Sequence, residues 1–128
     1  MKMLKVRINV MSFMVLAFSL LALSACEDDD PSPVAPAAPV LNVASEITAT
    51  GFKASWAAVP AADKYLLDVS LAADFATTVT GYAKKEVTGT SHAVTGLTAA
   101  TKYYFRLYAK DGSLTSVAST TKDATTLP

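Results

Sequence analysis

Leu97-Thr98-Ala99-Ala100-Thr101-Lys102-Tyr103-Tyr104-Phe105-Arg106-Leu107-Tyr108-Ala109 decides the fold. Tyr103, Phe105, Leu107 and Ala109 alternate with Tyr104, Arg106 and Tyr108, and a period of two places the two sets on opposite faces of a strand. The first set is apolar enough to face a core. The second carries an arginine between two tyrosines and faces away from it.

The same period recurs upstream. Phe52, Ala54 and Trp56 alternate with Lys53 and Ser55, and Tyr65, Leu67 and Val69 alternate with Leu66 and Asp68. Between these runs stand Thr50-Gly51, Pro60, Gly81, Gly89, Gly96 and Asp111-Gly112, spaced as turn signals. No long segment repeats its apolar residues at the helical 3.6, and Leu71–Ala76 reads as a loop rather than a helical turn. The expected fold class is therefore all-β. About seven strands in residues 40–128 match the size of one β-sandwich.

The segment Leu97–Ala109 resembles the corner and the strand after it in a fibronectin type III domain, with leucine, threonine and tyrosine at the family's spacing. Trp56 and Tyr65 match the tryptophan and tyrosine that pack together in that family, and Pro39 fits the proline that commonly opens the domain. The resemblance spans about residues 37–127. It implies an immunoglobulin-like sandwich with Trp56, Tyr65, Leu67, Val69, Val94, Leu97, Tyr103, Phe105 and Leu107 between two sheets. It also implies that the Tyr103 hydroxyl bonds to backbone near Leu97. Ala99 stands where the family often has proline, which loosens that turn without changing the fold. A true immunoglobulin domain pairs cysteines across its sheets, and this chain has one cysteine only.

That cysteine belongs to a different signal. Lys2, Lys5 and Arg7 precede an apolar run over residues 10–23, followed by Leu23-Ser24-Ala25-Cys26. The run is shorter than the roughly 20 residues of a spanning helix and has the layout of a secretory signal. Leu-Ser-Ala-Cys resembles the lipobox of bacterial lipoproteins. The resemblance implies cleavage after residue 25 and lipid on Cys26, with membrane attachment through that lipid. Several acyl chains on one residue anchor stably where one does not. Residues 26–39 then read as the lipidated cysteine and a disordered tether. At about 3.1 Å per residue its prolines hold a domain up to roughly 40 Å from the bilayer. Glu27, Asp28, Asp29 and Asp30 resemble the signal that sends some lipoproteins to the outer face of the outer membrane, with a periplasm-facing location as the alternative.

Charge and chemistry exclude more than they assign. The chain has 11 basic and 11 acidic residues. Residues 40–128 are close to neutral, without the basic patch that nucleic acid requires. The single histidine, His92, adjoins Ser91 on a strand candidate, so the two point to opposite faces and form no nucleophile–base couple. One histidine and a lipidated cysteine make no metal set. Asp63, Asp68 and Asp74 form no assignable acid–base pair. No catalytic residue, metal or cofactor is expected. The candidate binding face is Tyr104, Arg106 and Tyr108 with Leu66 and Asp68 beside them, suited to a protein or glycan ligand. The competing reading is a stabilising cross-strand Arg106–Asp68 ion pair. Two functions follow as expectations: a surface-anchored, non-catalytic interaction or spacer module, or the anchor-proximal part of a larger carbohydrate-active or glycan-binding protein. Thr125–Pro128, read as a linker, favours the second.

Overall fold

Alternation in the sequence becomes alternation in burial along Phe52–Ser55 and Lys102–Asp111, while Lys64–Ser70 is buried on both faces. The structure is a computed structural model that describes residues 32–128. The signal segment, Cys26 and Glu27–Asp30 lie outside the described residues. Seven strands follow one another: β1 (Phe52–Ser55), β2 (Lys64–Ser70), β3 (Lys85–Val87), β4 (Ser91–Val94), β5 (Lys102–Asp111), β6 (Leu114–Thr115) and β7 (Lys122–Thr125). Among the described residues there is no helix, and Leu71–Ala76 is a loop.

The strands form two antiparallel sheets. β1 pairs with β4, and β3, β2 and β5 follow in order, with β6 and β7 both lying along the far side of β5. The register sets Tyr65 opposite Ala109, Leu67 opposite Leu107 and Val69 opposite Phe105, so both strands turn their apolar sets to the same side. The other sheet contributes Phe52, Ala54, Trp56 and Val94. Phe52 meets Phe105 across the core at 4.9 Å, and Trp56 meets Tyr65 at 5.3 Å. Each of the nine core residues expected from the sequence is at most 6% exposed. Leu41 and Tyr82 join them. Full burial of such side chains contributes about 1.5–3 kcal/mol each. The Trp56 indole N–H is buried without an acceptor.

The seven strands match the number expected, but two of them are fragments of a single edge. β6 and β7 are two pieces of one edge, interrupted at Ser116–Thr121. The segment before β1 pairs with it only through the bridges Leu41–Trp56 and Ser45–Lys53. Gly51, a turn signal in the sequence, serves a closer need: a Cβ there would collide with the Val94 carbonyl. Residues Val34–Pro128 form one unit, and Pro39, assigned to the tether by its composition, is buried. Thr126 and Leu127 are part of the fold and not a linker. The Leu127 N–H donates to the Thr48 carbonyl at 2.9 Å, and the Ala100 N–H donates to the Leu127 carbonyl at 2.9 Å.

Candidate binding face on the larger sheet

β2 and β5 place the five residues of the candidate face in register. Leu66 lies opposite Tyr108, Asp68 opposite Arg106 and Ser70 opposite Tyr104. Asp68 accepts from Arg106 Nε at 3.0 Å, so the cross-strand ion pair is present. The Lys84 backbone N–H donates to the other carboxylate oxygen at 2.6 Å.

The face is not as open as alternation implies. Leu66 is 8% and Asp68 2% exposed, because the segment between β2 and β3 folds back over them. Its return is fixed by backbone bonds from Val79 N–H to the Val69 carbonyl (2.7 Å) and from Val69 N–H to the Tyr82 carbonyl (3.1 Å). Ser70 Oγ donates to the Thr77 carbonyl at 2.6 Å. Phe75 thereby lands on the Arg106 guanidinium, 4.1 Å from ring centre to Cζ. Tyr104, Arg106 and Tyr108 remain half-buried at the surface, while Asp68 is enclosed beneath the loop. The fold-back depends on pairing between distant residues, which a period of two does not show.

Cations cover the aromatic rings. The Lys84 ammonium sits 4.5 Å over Tyr108 and the Lys102 ammonium 5.3 Å over Tyr104. Arg106 is 5.5 Å from the Tyr108 ring. Phe75, Lys84 and Lys102 were not legible as members of this face. Phe75 alone carried a signal, since a lone aromatic residue among the small and polar residues of Ala72–Thr80 must find something to cover.

Energetically the pairs divide by exposure. Asp68 is enclosed while Arg106 keeps its outer edge at the surface, so removing Arg106 strands a buried carboxylate. Lys53–Glu46, Lys64–Glu86 and Lys102–Asp123 lie at the surface, where an ion pair contributes about 0–1 kcal/mol.

Elsewhere the described residues gather no chemistry. They contain no group of three or more His, Cys, Asp or Glu able to hold a metal ion. His92 is half-buried with its ring edge toward Tyr82 at 6.4 Å, while Ser91 is exposed. Burial, and then the charge of Lys85, lowers the His92 pKa below its usual 6.5. A groove beside β1 and β4, lined by Thr50, Lys53 and Thr95 among others, encloses about 150 Å³. Small-molecule sites are typically about 300–1,000 Å³.

The corner before β5 closes with the Thr98 N–H donating to the Tyr103 hydroxyl at 2.9 Å, beside buried Leu97. The Tyr65 hydroxyl likewise accepts from the Val59 N–H at 2.9 Å. With this geometry, residues 36–122 match the family model of the fibronectin type III domain. The chain belongs to the fibronectin type III family. No curated protein matches it in sequence. Among solved structures it is similar to the fibronectin type III domain of human fibronectin type III domain containing protein 3, at 19% identity, covering 78% of this chain and 94% of that one with a TM-score of 0.61. A second is an Fn3-like protein from Clostridium thermocellum, at 23% identity over 73% of this chain and 92% of that one, TM-score 0.53. A third is the beta-1,2-glucanase from Parabacteroides distasonis, at 24% identity, covering 78% of this chain but 14% of the enzyme, TM-score 0.57. At such identities the likeness is one of fold. A fibronectin type III fold positions surfaces, and its function lies in what each surface carries.

Proposed function

We propose that this is an exported lipoprotein, attached to the membrane through lipid on Cys26, that displays its fibronectin type III domain as a non-catalytic interaction or spacer module. The observation that carries the reading is the run Leu23-Ser24-Ala25-Cys26, placed between an apolar segment and an acidic, proline-rich stretch that leads straight into the domain. The acidic run Glu27–Asp30 supports an outer-membrane location facing the cell exterior. The contact surface of the module is the face of Tyr104, Arg106 and Tyr108, and its partner is a protein or glycan. Near-neutral charge over the folded residues supports no nucleic acid partner.

Labelling cells with a radioactive fatty acid tests the anchor. Wild type takes up label and Cys26→Ser does not; label in the variant refutes the reading. Protease treatment of intact cells then tests the leaflet, and a protected domain places it in the periplasm.

A second reading is favoured by the glucanase match, in which a domain of this fold occupies a small share of an enzyme. Here the chain is the anchor-proximal portion of a larger carbohydrate-active or glycan-binding protein. The mass of the protein isolated from its own cells decides: a product extending past Pro128 supports this reading.

A further inference from the structure

The two tyrosines of the candidate face suggest a stacked neutral sugar, yet their rings carry ammonium groups. Lys84 stands 4.5 Å from the Tyr108 centroid and Lys102 5.3 Å from that of Tyr104. A neutral sugar must displace these cations before it stacks. An anionic ligand meets them directly.

Arg106 lies between the two tyrosines on the same side of β5. Its Nε is committed to Asp68, and its plane rests on Phe75 at 4.1 Å and near Tyr108 at 5.5 Å. The side chain is nevertheless 28% exposed. Among the described residues neither Nη nitrogen has a hydrogen-bond partner, and neither is fully buried. The guanidinium is thus held in one orientation with two donors turned to water. A planar fork of that kind matches a carboxylate with two parallel hydrogen bonds. Lys102 and Arg106 are four residues apart, or about 13 Å at the rise of a strand, so charges follow one another along the face. Of the acids on this face, Asp68 is enclosed, Asp123 forms an exposed pair with Lys102, and Glu86 forms one with Lys64.

β5 is bonded to β2 on one side and to β6 and β7 on the other. An acidic peptide cannot add to β5 itself, so the main-chain contacts that usually hold extended peptides would have to come from the outer edges of β3 or of β6 and β7, to the side of Arg106. A sugar chain needs none.

Building on the interaction-module reading, we propose that this face binds an acidic polysaccharide, with a uronate carboxylate on the Nη edge of Arg106 and the ammonium groups of Lys84 and Lys102 on either side. The test uses the full chain in non-ionic detergent and three immobilised polymers: polygalacturonate, neutral dextran and polyglutamate. Polygalacturonate retains the protein, and retention weakens as salt rises above about 0.1 M. The double variant Lys84→Gln/Lys102→Gln changes exposed side chains only and binds about tenfold more weakly. Arg106→Lys keeps the charge, loses the fork and also binds more weakly, with a thermal melt confirming that it is folded. Equal retention on dextran, equal retention on polyglutamate, no retention on polygalacturonate, or an unchanged double variant overturns the proposal. Lipid labelling of Cys26 is scored on the same material, so failure of the ligand and failure of the anchored module are separate outcomes.

Discussion

Tyr103 holds the corner before β5 through one oxygen. Its ring is 4% exposed and its hydroxyl is the acceptor for the Thr98 N–H. Tyr103→Phe keeps the ring and strands that N–H, so it costs about 1 kcal/mol, or a melting temperature lower by roughly 4–8 °C in a domain of this size. A variant that melts with wild type contradicts the role. His92 makes a prediction of the opposite kind, carried by charge. Its pKa is lowered by burial and then by Lys85, with the Tyr82 ring its other neighbour. The unfolded chain therefore binds the proton more readily than the folded one. Stability present above the usual 6.5 is lost as pH falls through that value toward the lowered one. His92→Gln flattens this part of the profile, and melting curves between about pH 8 and pH 5 measure it. Parallel profiles for the two proteins reject it.

Elements show where alternation stops being informative. The central strands β2 and β5 read directly from sequence because each has apolar residues at every second position over a long run. The edge opposite β5 does not, because Ser116 and Ser119 replace regular pairing with side-chain bonds. The Ala109 N–H donates to Ser116 Oγ at 2.8 Å and the Leu107 N–H donates to Ser119 Oγ at 3.0 Å. Each hydroxyl in turn donates to the next residue's carbonyl, Val117 at 2.7 Å and Thr120 at 2.9 Å. Three residues of edge thus span two of β5, a bulge that splits the edge into β6 and β7. In sequence these serines resemble any loop serines. Ser116→Ala and Ser119→Ala each leave a β5 amide without its acceptor and cost about 1–3 kcal/mol. Amide exchange locates the effect: Ala109 exchanges faster in the first variant and Leu107 in the second. Unchanged exchange at both amides removes the serines from this role. Asp68 illustrates a related blind spot. Its outward position was legible, but its burial depends on the return of residues 71–84, fixed by Val69, Val79 and Tyr82.

At the scale of the whole molecule, the sandwich and its core were legible because burial follows side-chain chemistry at regular spacing. What covers the sheets and what ties them together was not, since both depend on isolated polar groups meeting across long sequence separations. Thr126 is the clearest case. Composition assigns Thr125–Pro128 to a linker, yet Thr126 is 2% exposed. Its Oγ1 accepts from the Thr101 N–H at 2.9 Å and donates to the Thr98 carbonyl at 2.6 Å. The next residue reaches Thr48, ahead of β1, while β7 continues along β5. The last residues therefore join the segment before β1, the corner before β5 and the larger sheet. Deleting Thr126–Pro128 removes several such bonds, each contributing about 0.5–1.5 kcal/mol, and lowers the denaturation midpoint in urea. Thr126→Val separates the hydroxyl from the chain: it keeps the volume and the Leu127 bonds, strands the Thr101 N–H, and destabilises by less than the deletion. If the two are equally stable, the hydroxyl carries the tie alone; if the deletion matches wild type, the segment is a linker after all.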